Sequence, residues 1–152
     1  MERLNREFST NGDRWISIHD MHLSKISCLE NSVVFCFEDG FNLIENTQLF
    51  RKSKGYIELF GCNYSDFSCS IFERRITKKG TKLYGRPISL EELNRILVSE
   101  KKCVEIFLEL YDFNHLYWRG ELLPHKTISK KNLAPLITIE AMEFFPMMYL
   151  WE

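Results

Sequence analysis

The sequence predicts an α+β fold that is mainly β: a curved antiparallel sheet of roughly seven to nine strands with one packed helix at about residues 89–100. Three observations point there. Twelve Phe, six Tyr and three Trp stand against seven Gly and four Pro, and aromatic side chains favour the half-buried, pleated surface of a strand. Short runs of β-branched and aromatic residues recur between turn residues. One segment alone, opening at Ser89, joins a helix start signal to apolar residues at helical spacing.

Residues 1–13 hold few large apolar groups and include Asn11-Gly12-Asp13, which describes a frayed N-terminal arm. The packed domain is then 14–152, and a globular chain of this size buries roughly 68–70% of its unfolded surface. Trp15 to Ile18 and Met21 to Cys28 read as extended segments. In the second, apolar residues fall at 21 and 23 and then at 26 and 28, a change of phase that a β-bulge explains. Glu30-Asn31-Ser32 reads as a turn.

Val33 to Glu38 leads into Asp39-Gly40 and then Phe41 to Ile44, the pattern of a hairpin closed by a two-residue type I′ turn. Because Val33, Phe35 and Phe37 alternate with the equally apolar Val34 and Cys36, the first of these strands is expected to be central and covered on both faces. Arg51 to Gly55 reads as a basic loop, Tyr56 to Phe60 as a short strand stopped by Gly61, and Phe67 to Ile76 as a longer one.

Ser89-Leu90-Glu91-Glu92 has the form of a capping box, and Leu90, Leu93, Ile96 and Leu97 make one apolar stripe that ends near Glu100. Cys103 to Tyr111 alternates Val104, Ile106, Leu108 and Leu110 with Glu105 and Glu109, a strand with one buried and one wet face. Asp112 to His115 supplies turn chemistry. Leu116 to Leu123 returns as a strand with Gly120 marking a bulge, Pro124 to Asn132 is a polar loop, and Leu136 to Glu140 and Met147 to Trp151 complete the sheet.

Net charge is −1 with a pI near 6.4, so no global field recruits a polyanion. No apolar run reaches the 18 or so residues of a membrane helix and the N-terminus lacks an apolar leader core, so a cytoplasmic location without a membrane partner is expected. Five scattered cysteines, Cys28, Cys36, Cys62, Cys69 and Cys103, lack metal-ligand spacing and read as small core hydrophobes of a reducing compartment.

No G-x-S-x-G, P-loop or G-x-G-x-x-G is present, and neither a catalytic set nor a cofactor or metal site is assigned. His19-Asp20-Met21-His22 resembles a metal-binding pair, but neighbours along a strand point to opposite faces. The motif reads as structural, with Asp20 in a turn and His19 packed where the next strand begins. His115 and His125 flank a strand containing Glu121 and read as surface turn residues. Arg74, Arg75, Lys78, Lys79, Lys82 and Arg86 place six cations in thirteen residues without an acid. They read as a solvated basic loop, 74–86, with a nucleic-acid backbone or acidic partner as the alternative. Glu105, Glu109, Asp112 and Glu121 beside exposed Tyr111, Tyr117 or Trp118 suit a basic protein partner, the aromatics anchoring and the charges setting the association rate.

Ile18-His19-Asp20-Met21-His22-Leu23, the Asp-Gly pair, Tyr117-Trp118-Arg119-Gly120-Glu121-Leu122 and the ending Tyr149-Leu150-Trp151 together resemble small bacterial immunity proteins of polymorphic or contact-dependent toxin systems. The resemblance covers about a third of the chain and carries over no functional residues. It implies a non-catalytic inhibitor that neutralises a cognate toxin domain by tight one-to-one binding. The alternatives are a ligand-binding protein or enzyme with a pocket in the curved sheet, and a nucleic-acid-binding protein using the 74–86 segment.

Overall fold

Period-two alternation of apolar residues organises nearly the whole chain, and the computed structural model describes residues 2–5, 14–45, 48–112, 115–124, 132–142 and 147–151. The strands are β1 (Glu2–Asn5), β2 (Arg14–Ser17), β3 (His22–Cys28), β4 (Ser32–Glu45), β5 (Gln48–Phe60), β6 (Phe67–Thr77), β7 (Gly80–Ile88), β8 (Cys103–Asp112), β9 (His115–Leu123), β10 (Asn132–Met142) and β11 (Met147–Trp151). Among the described residues a 3-10 turn, Tyr64–Asp66, precedes β6, and a helix, α1 (Leu90–Ser99), follows β7. Nine strands have five or more residues, and β1 and β2 add four-residue pieces.

All belong to one antiparallel sheet that is not closed into a barrel. Its order is β1-β11-β5-β4-β3-β8-β9-β10-β6-β7, with β2 on β4 beyond the end of β3. The sheet rolls up on itself. Five strand spacings separate Phe35 on β4 from Phe67 on β6, about 24 Å in a flat sheet, yet their ring centroids lie 5.6 Å apart. The edge of the Trp118 ring meets Phe35 at 4.9 Å and Phe37 at 6.0 Å. Those rings, with Phe41, Ile57, Leu59, Ile106, Ile137 and Ile139, fill the inside of the roll.

The roll opens where β3 and β8 part, since only His22 and Leu23 pair across them, with Glu105 and Val104. The helix occupies that gap. Leu90, Leu93 and Leu97 enter the core, the Asn94 side chain accepts from the Ile26 amide at 2.8 Å, and the Tyr64 hydroxyl donates to the Ile26 carbonyl at 3.2 Å. A strand edge left without a partner is thus satisfied by side chains. The Ser89 hydroxyl caps the helix by accepting from the Glu92 amide at 3.0 Å. The reciprocal half of the expected capping box is not made, because the Glu92 carboxylate is drawn to Arg86 at 3.2 Å.

Several expectations need correcting. Asp39-Gly40 is no hairpin turn: β4 runs through it, and Glu38, Asp39 and Gly40 oppose one residue of β5 in a bulge, with Gly40 at φ 82°. Two extra residues keep the alternation in phase, so Phe41 returns to the core beside Phe37. Arg51 to Gly55 is not a loop but the middle of β5. The 74–86 segment is not a loop either; it belongs to the paired arms of the β6–β7 hairpin. Glu2–Asn5, expected as a frayed arm, pair with β11. The phase change in β3 does mark a bulge, between Leu23 and Lys25. Gly120, by contrast, lies opposite a bulge in β8; a Cβ there would strike the Glu105 carbonyl and Val104. The turn residues 113–114 and the loop residues 125–131, with His125, lie outside the described residues.

Of the five cysteines, Cys62 and Cys69 are buried, Cys36 and Cys103 half-buried, and Cys28 exposed, so Cys28 is not the core residue expected. Burial pushes the Cys62 thiol up to about 11 and the Cys69 thiol up to about 12. Alkylation of the native protein is therefore expected to modify Cys28 first and to reach Cys62 and Cys69 only on unfolding, as peptide mapping with and without denaturant will show. Trp118→Ala is expected to cost about 3–5 kcal/mol in urea unfolding, because it removes the ring on which both halves of the roll meet.

Candidate functional site

The outer face of β8, β9, β10 and β6 is the candidate site, and one extra residue in β8 determines its character. Up to Ile106 the strand follows the sequence pattern, with Val104 and Ile106 inside and Glu105 outside. Ile106 pairs with Gly120 but Leu108 pairs with Arg119, so Phe107 is inserted and the phase reverses. Such a slip exchanges the two faces of everything beyond it. Leu108 and Leu110 turn outward and Glu109 and Tyr111 turn inward.

Glu109 is consequently not part of a wet acidic face. Its carboxylate accepts from the Ile18 amide at 2.9 Å and from the Tyr111 hydroxyl at 3.1 Å, and that hydroxyl accepts from the Trp118 indole at 3.1 Å. Burial raises the Glu109 pKa, against the hydrogen bonds from Ile18, Ser17 and Tyr111 that lower it. Burial also holds the Tyr111 hydroxyl well above its usual range. Trp118 is fully buried, so neither it nor Tyr111 is the exposed anchor the sequence suggested. Asp112 pairs with His115 across β8 and β9; its side chain lies outside the described residues.

Glu105, Tyr117 and Glu121 do face outward. The register lays His22, Glu105, Glu121 and Leu136 in one row across β3, β8, β9 and β10. The next row is Leu108, Arg119 and Thr138, and the third Leu110, Tyr117 and Glu140. Most charges are tied in pairs: Arg74 binds Glu121 at 3.1 Å and the Ala134 carbonyl at 2.8 Å, and His115 binds Glu140 at 2.7 Å. Arg119, in the middle, has no ion pair among the described residues, and its Nε is enclosed without a hydrogen-bond partner. Around it Leu110 is 54% and Phe107 37% exposed. Arg119, Phe107, Leu108 and Leu110 escaped the sequence reading because the apolar alternation from Val104 to Leu110 carries no mark of the bulge.

At one end of this face His22 is clasped by two carboxylates. Its Nδ1 meets Asp39 Oδ2 at 2.8 Å, its Nε2 meets Glu105 Oε2 at 3.3 Å, and its amide donates to Asp39 Oδ1 at 2.9 Å. Burial works against charge on the ring, but the two carboxylates outweigh it and raise the imidazole above 6.5. Both ring nitrogens point at separate acids, so they converge on no common metal position, and among the described residues no group of three or more metal-ligating side chains is found. The neighbouring Cys103 thiol is raised by burial and by Glu38, Glu105 and Asp39, the opposite of an activated nucleophile. The cluster ties β3, β4 and β8 together. His19, expected to be packed, is instead about half exposed and pairs with Asp20 at 3.1 Å in a turn where Asp20 adopts φ 64°.

The basic residues are dispersed by the same alternation. Arg74 is held on the outer face, Arg75 binds Glu73 at 3.0 Å and lies 4.7 Å over the Tyr84 ring, Lys78 and Lys79 form the hairpin tip, and Lys82 opposes Arg75. A shallow recess between β7 and α1 is lined by Arg86, Glu92, Arg95 and Ile96.

Two measurements test this description. Because the folded-state value of Glu109 is raised, ionisation costs stability: unfolding free energy should fall as pH rises from the ordinary glutamate value of about 4.3 through the elevated one, and Glu109→Gln should remove that slope. Glu109→Ala leaves the Ile18 amide and Tyr111 hydroxyl without their acceptor and is expected to cost about 2 kcal/mol. For His22 the slope has the same sign in a higher pH window, because its folded-state value is raised as well. Its contribution is complete below the ordinary histidine value and fades as pH rises through the elevated folded-state one, so His22→Gln should lie closest to wild type at the alkaline end of a thermal-melting series.

Comparison with protein-family models, with curated proteins and with solved structures finds no match to this chain.

Proposed function

We propose that the chain is a non-catalytic protein-binding module, an inhibitor of the immunity type, that engages a cognate toxin domain through the outer face of β8, β9, β10 and β6. The observation that carries this reading is the composition of that face. An antiparallel sheet with one face packed on a core ordinarily presents polar residues on the other. Here the outer face presents Phe107, Leu108, Leu110 and Tyr117 around an arginine that has no counter-ion among the described residues. Aromatic residues and Arg, with charged groups at the margin, are what interface centres enrich.

The paired charges suit the same role. Glu105 and Glu121 stand directly opposite each other, an arrangement that is unfavourable in isolation, and each is balanced from the far side by His22 or Arg74. A basic side chain from a partner would relieve the pair between them, while Arg119 would take an acidic one. The alternative of a ligand pocket inside the sheet has less support, since Phe35, Phe41 and Trp118 occupy the interior of the roll.

The test is titration calorimetry with the protein domains encoded by the genes that flank this chain's own. A one-to-one complex is expected, and Leu110→Asp or Arg119→Asp should each weaken it by about thirtyfold or more without lowering the melting temperature. A complex that tolerates both substitutions would place the interface elsewhere, and lack of any complex would remove the proposal.

A further inference from the structure

We propose that the free edge of β7 is a docking strand for an acidic, extended segment of a partner protein, a second binding surface independent of the sheet face. β7 ends the strand order among the described residues, and every residue from Gly80 to Pro87 is exposed. A long exposed edge offers a row of backbone donors and acceptors on which another strand can pair.

Charge identifies the occupant. From Glu73 to Ile88 the hairpin holds six cations and one acid, whereas the remaining chain holds fourteen cations and twenty acids. A molecule of net charge −1 thus carries +5 on one hairpin and −6 elsewhere. Arg74, Arg75 and Arg86 have acid partners in Glu121, Glu73 and Glu92. Among the described residues Lys78, Lys79 and Lys82 have none, and Lys82 directly opposes Arg75, a like-charge pair that an added acid would relieve. Alternate residues of a strand lie about 6.8 Å apart, so carboxylates at every second position of an added strand would follow Lys82 and Arg86 along one face. On the other face Leu83, 58% exposed, offers an apolar contact.

Two other occupants fit less well. A second copy of β7 would bring lysine against lysine, so the cations that attract an acidic strand also bar self-pairing. A nucleic acid gains nothing from a free backbone edge and would look for an aromatic face to stack on, but Arg75 lies over the Tyr84 ring.

The probes are a short peptide alternating Glu and Val, its Lys and Val counterpart, and a single-stranded oligonucleotide of equal charge, each titrated by fluorescence anisotropy at low and moderate salt. Binding of the acidic peptide, weakening with salt, is expected, together with slowed hydrogen exchange at the Thr81, Leu83 and Gly85 amides. Replacing Lys78, Lys79 and Lys82 by Glu, all at exposed positions, should weaken it about tenfold or more and transfer binding to the basic peptide. Acidic-peptide binding without amide protection, or tighter binding of the oligonucleotide, would overturn the proposal, as would no binding at all. Failure of the calorimetric titration leaves this result untouched, because the residues do not overlap.

Discussion

The contact of Phe35 and Phe37 with the edge of the Trp118 ring is the constraint on which the rest of the structure depends. It joins strands three positions apart in the sheet, so it exists only if the sheet rolls. Rolling creates an inside, where the large aromatic side chains Phe35, Phe41 and Trp118 are buried, and leaves the outside of β8, β9, β10 and β6 as a curved surface on which the described residues place no second layer. The burial of Trp118 also fixes β9: with Leu116, Trp118, Gly120 and Leu122 inward, Tyr117, Arg119 and Glu121 have to face out. The geometry of the candidate site is therefore set from within the core.

The bulge at Phe107 is the second determinant, and the two are linked through one hydrogen-bond chain. A buried carboxylate is unfavourable unless its oxygens find donors, and Glu109 finds them in the Ile18 amide and the Tyr111 hydroxyl, which in turn receives the Trp118 indole. The backbone of Ile106 is held on its other side by Asp20 and Met21, at 2.7 and 3.0 Å. The bulge is thus anchored to the turn at Asp20, and the exposed Leu108 and Leu110 follow from it. Had β8 kept its register, two leucines would lie inside and two acidic or polar side chains outside, and the face would be an ordinary wet one.

These details mark where the sequence was legible. The helix was read closely, because a Ser cap and the spacing of Leu90, Leu93 and Leu97 depend on neighbouring residues alone. The strand-rich class was legible for the same reason. The Asp39-Gly40 hairpin was misread: its local chemistry fits a turn, but Asp39 is needed by His22, seventeen positions away, and Phe41 is needed in the core, so the chain continues as a bulged strand. Glu109 was misread on equal grounds, since a perfect alternation hides an inserted residue whose justification lies in Ile18 and Trp118. The candidate site was legible in Glu105, Tyr117 and Glu121 and invisible in Arg119, whose lack of an ion-pair partner among the described residues is a property of three strands brought together.

β6 separates the two proposed surfaces by alternation alone. Arg74 turns to the outer face and is absorbed by Glu121, while Arg75, one residue on, turns to the other side and faces Lys82. The surfaces accordingly rest on different physics. The sheet face depends on apolar burial around a partly desolvated guanidinium, which salt screens little. The β7 edge depends on exposed cations, whose attraction is largely screened beyond a Debye length of about 8 Å at physiological ionic strength. Ionic strength therefore distinguishes them: an interaction that persists in salt belongs to the face ringed by Leu108 and Leu110, and one that vanishes belongs to the lysines of the hairpin.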